Sequence, residues 1–138
     1  MAEALILDAE AVNALAHPAD RRVLAGRASA VLRLAYDRRA LVRVPAPVLA
    51  EVCRGVRHDS AINLLLNNPG VGVYELTRTV AQQAGHLLAR HKLSSNHAVD
   101  AFVVATALQF DTAVIATGDP HDIRRLAAPF GRVGVLAL

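Results

Sequence analysis

The chain holds one cysteine, one lysine, few aromatics and no apolar run long enough to cross a bilayer. Each shortage excludes something. The lone Cys53 cannot close an internal disulfide, and no Cys/His spacing suits zinc. Within Val48-Leu49-Ala50-Glu51-Val52-Cys53 it reads as a small core residue in a reducing compartment. The aromatics are Tyr36, Tyr74, Phe102, Phe110 and Phe130, too few and too scattered for a base-stacking platform. No positive charge precedes the first apolar run, and Asp8 interrupts that run, so no export signal is expected and the protein is expected in the cytoplasm.

What remains is a globular composition. Of 138 residues, 54% are hydrophobic and 20% charged, which excludes a disordered linker and fits one domain spanning residues 1–138. The charge is +3, with Lys92 the one lysine among 15 basic residues against 12 acidic ones. If four of the acids gather in a pocket, 15 basic residues face the remaining 8 acids, or +7 elsewhere. A basic surface around an acidic pocket suits a polyanion held near metal ions.

Short apolar runs alternate with helical patterns. Strands are expected at Ala4–Leu7, Leu41–Val44, Val71–Tyr74, Thr112–Ala116 and Val133–Leu138. Helices are expected at Glu10–Ala16, stopped by His17-Pro18, and at Arg21–Asp37, with Val23, Leu24, Val31, Leu32 and Leu34 on its apolar face. Pro45-Ala46-Pro47 opens another helix that Gly55 ends. Further helices follow at Ser60–Asn67, from Thr79 to His91, from the capping Ser94-Ser95-Asn96 to Phe110, and at Asp122–Ala127. This alternation predicts a parallel sheet covered on both faces, an α/β sandwich with its ligand site beyond the carboxyl ends of the strands.

Four acids stand where acids are costly. Asp100 is the only charge in Asn96-His97-Ala98-Val99-Asp100-Ala101-Phe102-Val103-Val104-Ala105-Thr106-Ala107-Leu108, a stretch apolar enough to be buried. Glu51 sits in the apolar run before Cys53, Asp8 ends a strand, and Asp119 follows another with only Thr117 and Gly118 between. Each could cap a helix or pair with an arginine separately. Together, carboxylates without bases point to a hard divalent cation with oxygen ligands.

Leu5-Ile6-Leu7-Asp8, Val44-Pro45-Ala46-Pro47-Val48-Leu49-Ala50-Glu51-Val52, His97-Ala98-Val99-Asp100-Ala101 and Ala116-Thr117-Gly118-Asp119-Pro120 occur in an order and spacing that resembles PIN-domain toxins of the VapC type. The resemblance covers essentially the whole chain. It implies a three-layer α/β/α sandwich with a five-stranded parallel sheet in the order 3-2-1-4-5. It implies an endoribonuclease dependent on Mg²⁺ or Mn²⁺, a homodimer, and a small antitoxin covering the active-site groove. By position Asp8, Glu51, Asp100 and Asp119 match the four family acids, as catalytic residues and metal ligands. Glu10 departs from the family pattern, and its carboxylate faces either the site or solvent.

Several residues stay outside that set. Asp122 reads as a charge at a helix N-terminus, with an accessory role open. His97 shares the face of Asp100 three residues on, and Thr117 could orient Asp119. Arg54 and Arg57 follow Glu51 at helical spacing and could grip phosphates. Two other functions compete. A phosphatase or phosphoacceptor domain would use Asp8-Ala9-Glu10, but needs a lysine where only the loop residue Lys92 is on offer. A silent RNA- or protein-binding module would gain little from clustered carboxylates.

Overall fold

The computed structural model describes residues 3–138; the first two residues of the expected domain lie outside the described residues. Five strands form one parallel sheet in the order β3-β2-β1-β4-β5, with β1 Glu3–Leu7, β2 Leu41–Pro45, β3 Val71–Tyr74, β4 Thr112–Thr117 and β5 Val133–Ala137. β1 is central, and Ala4, Leu5, Ile6 and Leu7 are all buried, which explains an uninterrupted apolar strand rather than an alternating one. Leu5 pairs with Val42 on one side and Val114 on the other. The chain builds outward from β1 to β3, then crosses back to lay β4 on the opposite side of β1. The crevice opened by that reversal lies at the carboxyl ends of β1 and β4.

Helices α1 (Ala9–Ala16), α2 (Arg22–Asp37), α3 (Leu49–Val52), α4 (Val56–Leu66), α5 (Arg78–Arg90), α6 (Ala98–Ala107) and α7 (Pro120–Ala127) cover the sheet, with 3-10 turns at Ala46–Val48 and Ser95–His97. In α6, Ala101 and the run Val103–Ala107 are buried, as an all-round apolar helix must be. Its Thr106 hydroxyl donates to the Phe102 carbonyl at 2.7 Å, so the one polar side chain in that run is satisfied within the helix. No helix among the described residues is long and apolar enough to cross a membrane.

Three expectations need correction. The face of α2 is turned: Leu24 is buried with Ala25, Ala28 and Ala35, whereas Val23 and Leu34 are exposed at 71% and 56%. Small residues face inward because α2 lies close against α1, where Ala14 joins Leu24, Ala25 and Ala28 in a second apolar cluster. The helix after Pro45 stops at Val52 rather than running to Gly55. Gly55, at φ +133°, instead precedes α4, which starts four residues earlier than expected, at Val56. Asp59 explains the early start: its Oδ1 accepts from the backbone N–H groups of Arg54 (2.8 Å) and Gly55 (3.3 Å), reaching back over the first turn. Arg54 therefore lies between helices, not on a helix with Glu51, and its guanidinium donates to the Ala50 and Cys53 carbonyls at 2.8 and 2.7 Å.

Candidate active site

Asp8 follows β1 and caps α1, its Oδ1 accepting from the Ala11 N–H at 3.0 Å. At 8% exposure it is one of the few buried polar residues. Its carboxyl is pushed up to about 6, first by burial, then by the negative charges of Glu10 and Asp100. Hydrogen bonds from Thr117 and Ala11 pull the other way and lose. Thr117, fully buried at the end of β4, holds two acids at once: it bonds Asp8, and its Oγ1 accepts from the Asp119 N–H at 3.0 Å.

Asp100 lies in the first turn of α6, half-buried. Its carboxyl is also raised to about 6, by burial and then by Asp122, Glu51 and Asp119; only His97 opposes the shift. Glu51, in the first turn of α3, and Asp119, at the start of α7, both act on Asp100, and Asp100 acts on Asp8, but among the described residues no three of these four acids bring ligand atoms within 4.8 Å of one another. Glu51 and Asp119 are the exposed members. Asp119 stands in the capping position of α7 but its side chain makes no cap hydrogen bond, so that carboxylate is not used up structurally. Among the described residues none of the four is in an ion pair with arginine or lysine.

Neighbouring acids divide differently. Glu10 is paired with Arg21, and it packs against Gly118, where an added Cβ would come within 2.8 Å of the Glu10 Cβ. Its charge reaches Asp8 without joining the cluster. Asp122 and His97, left outside the set by sequence reasoning, are brought in. His97 Nδ1 is 3.5 Å from Asp122 Oδ2, and these two with Asp100 present ligand atoms all within 4.8 Å of one another. The three-residue spacing of His97 and Asp100 was visible in the sequence; the arrival of Asp122 from another helix was not. The donor chemistry, carboxylate oxygens with one imidazole nitrogen and no thiol, fits a hard or borderline divalent cation.

The profile of the PIN domain matches residues 5–129, most of the chain. The chain belongs to the PIN domain family. Its fold is also that of a solved structure, VapBC2 from Rickettsia felis bound to a DNA fragment from their promoter. That likeness has a TM-score of 0.64 and 10% identity, and covers 98% of each chain. No curated protein sequence matches this PIN domain significantly. PIN domains are generally nucleases, and the acid cluster at the carboxyl ends of β1 and β4 is where such chemistry belongs in this fold.

Proposed function

We propose that this PIN domain is a metal-dependent endoribonuclease, the VapC-type toxin of a toxin–antitoxin pair, acting in the cytoplasm on RNA phosphodiester bonds. Asp8, Glu51, Asp100 and Asp119 are its catalytic residues and hold Mg²⁺ or Mn²⁺. The observation that carries this reading is the burial of acids beside acids: two carboxyls raised to about 6, first by burial and then by neighbouring carboxylates, with no arginine or lysine acting to lower them. A fold tolerates that cost where a cation removes it. When bound, a divalent ion there supplies charge neutralisation for the phosphodiester and acidifies the attacking water.

The chain's own residues do the rest. Buried Asp8 and half-buried Asp100 fix the cation side of the crevice, and Thr117 keeps Asp8 and Asp119 in a fixed relation. Exposed Glu51 and Asp119 reach the open side, where they orient water on the scissile phosphate. Exposed arginines, Arg57 among them, hold the flanking backbone of the RNA. Lys92, at φ +55° in the turn after α5, is not among the groups that act on Asp8, which argues against a phosphoacceptor. The partners of this reading are a small antitoxin and a second copy of the chain, as the PIN-domain membership and the VapBC2 likeness support.

Incubation with total RNA and Mg²⁺ or Mn²⁺, followed by mapping of the new ends, tests the reading directly. Discrete internal cuts that need the cation and vanish in Asp100→Asn are expected. Phosphate release from small esters without RNA cleavage would overturn it. Copurification of a small protein from the native host, with growth arrest on overproduction alone, checks the toxin assignment separately.

A further inference from the structure

Two helices begin side by side at the mouth of the crevice. The 3-10 turn Ser95–His97 leads into α6, with Ser94 capping it through the Asn96 N–H at 3.3 Å and accepting the His97 N–H on its carbonyl at 3.1 Å. That turn fixes the His97 backbone one residue before α6. Asp122 comes from the first turn of α7, which Pro120 starts. His97 and Asp122 are both about a third exposed, so the group is reachable from solvent.

The contact between them is a poor hydrogen bond. At 3.5 Å, Nδ1 and Oδ2 stand beyond the ~3.2 Å of a normal N–H···O bond. An ion pair of these two alone would also leave Asp100 facing the Asp122 charge, the largest electrostatic influence on it. Ligands ~2.1–2.2 Å from one ion lie about 3 Å apart when adjacent and about 4.3 Å when opposite. The three donor atoms, all within 4.8 Å of one another, fit around a single cation with little movement. The group is also not purely acidic. An imidazole nitrogen adds nothing to the repulsion and favours borderline ions such as Mn²⁺, whereas Mg²⁺ prefers oxygen and water.

We propose that His97 Nδ1, Asp100 and Asp122 bind one divalent ion directly, that the imidazole makes this position prefer Mn²⁺ over Mg²⁺, and that Asp100 links it to the Asp8–Glu51–Asp119 side. The proposal rests on the cation-dependent reading of the cluster but not on RNA as substrate.

Mn²⁺ binding to the full chain without RNA tests it. Pulsed electron paramagnetic resonance of the Mn²⁺-loaded wild type should show ¹⁴N coupling from one imidazole. His97→Gln should remove that coupling and weaken Mn²⁺ binding on the order of tenfold or more, with Mg²⁺ binding changed far less. Asp122→Asn should weaken both ions. Absence of ¹⁴N coupling in the wild type, which needs no variant, overturns the proposal, as does a folded His97→Gln that binds Mn²⁺ like wild type. Either result with Mn²⁺ still bound leaves the nuclease reading intact and makes His97 a partner of Asp122 only. A wild type that binds neither ion overturns both.

Discussion

Thr117 joins the first and fourth acids through one hydroxyl, yet cannot offset what burial and charge do to Asp8. With Asp8 and Asp100 raised from 3.8 to about 6, the metal-free folded chain binds more protons than the unfolded chain between those values. Its stability from these groups is therefore present below about pH 4, falls as pH rises through about 6, and stays low above. The shift corresponds to up to about 3 kcal/mol for buried Asp8 and to less for half-buried Asp100, whose charge solvent partly screens. Asp100→Asn removes one such cost. In chelator, it should gain on wild type by about 1–3 kcal/mol more at pH 7.5 than at pH 4.5, read from denaturant melts. Equal gains at both pH values would mean that neither burial nor its acidic neighbours raise the Asp100 carboxyl. A loss of ~3–5 kcal/mol would mean that its charge has a buried partner. Asp100 and Asp8 were legible in the sequence because a charge inside an apolar run has no cheap explanation. Asp122 was not, since an acid in the first turn of a helix is ordinary, and what makes it otherwise is His97 arriving from a different helix.

Elements show the same division between local and remote causes. All five strands were legible from apolar runs bounded by breakers, and α6 from its unbroken hydrophobicity. The start of α4 was missed because Asp59 reaches back to Arg54 and Gly55. The face of α2 was not legible because hydrophobic bulk points to its leucines and valines, while the close contact with α1 is made largely by alanines with Leu24. Between elements, the tightest approach near the site is Gly118 on Glu10. A Cβ at Gly118 would meet the Glu10 Cβ at 2.8 Å and Cγ at 3.1 Å, atoms too close to the α1 backbone to swing aside. Gly118→Ala should cost about 1–3 kcal/mol, by chemical denaturation, and shift the loop that carries Asp119. Adding Glu10→Gly should recover part of the loss, less about 1 kcal/mol for glycine in a helix. An alanine variant as stable as wild type would show that the α1 turn and the β4–α7 loop are not in register-setting contact.

For the whole molecule, charge sets how RNA is expected to arrive. Outside the four acids the chain carries +7, nearly all of it arginine. Arg54 is partly spent on the Ala50 and Cys53 carbonyls, so the grip must come from other arginines, Arg57 among them. Binding of single-stranded RNA to the uncleaving Asp100→Asn chain should weaken as salt rises, with a log–log slope on the order of −2 for about three phosphates. Filter binding between 50 and 200 mM salt, roughly the range where such slopes are read, checks this; a flat line would leave the arginines as plain solvated surface. The strand order gives the molecule one more property. Leu7 pairs with Ala116, and Thr117 beside it bonds Asp8, so the first acid meets the end of β4 across more than a hundred residues of chain. Every N-terminal fragment that ends before β4 lacks the second wall of the crevice, whatever local helices it has formed. Such non-local closure comes late in folding, after the loop entropy has been met. On the proposed nuclease reading, a growing chain is thus harmless to the RNA around it during most of synthesis, and the capacity to cut would arise in one step, when β4 docks beside β1.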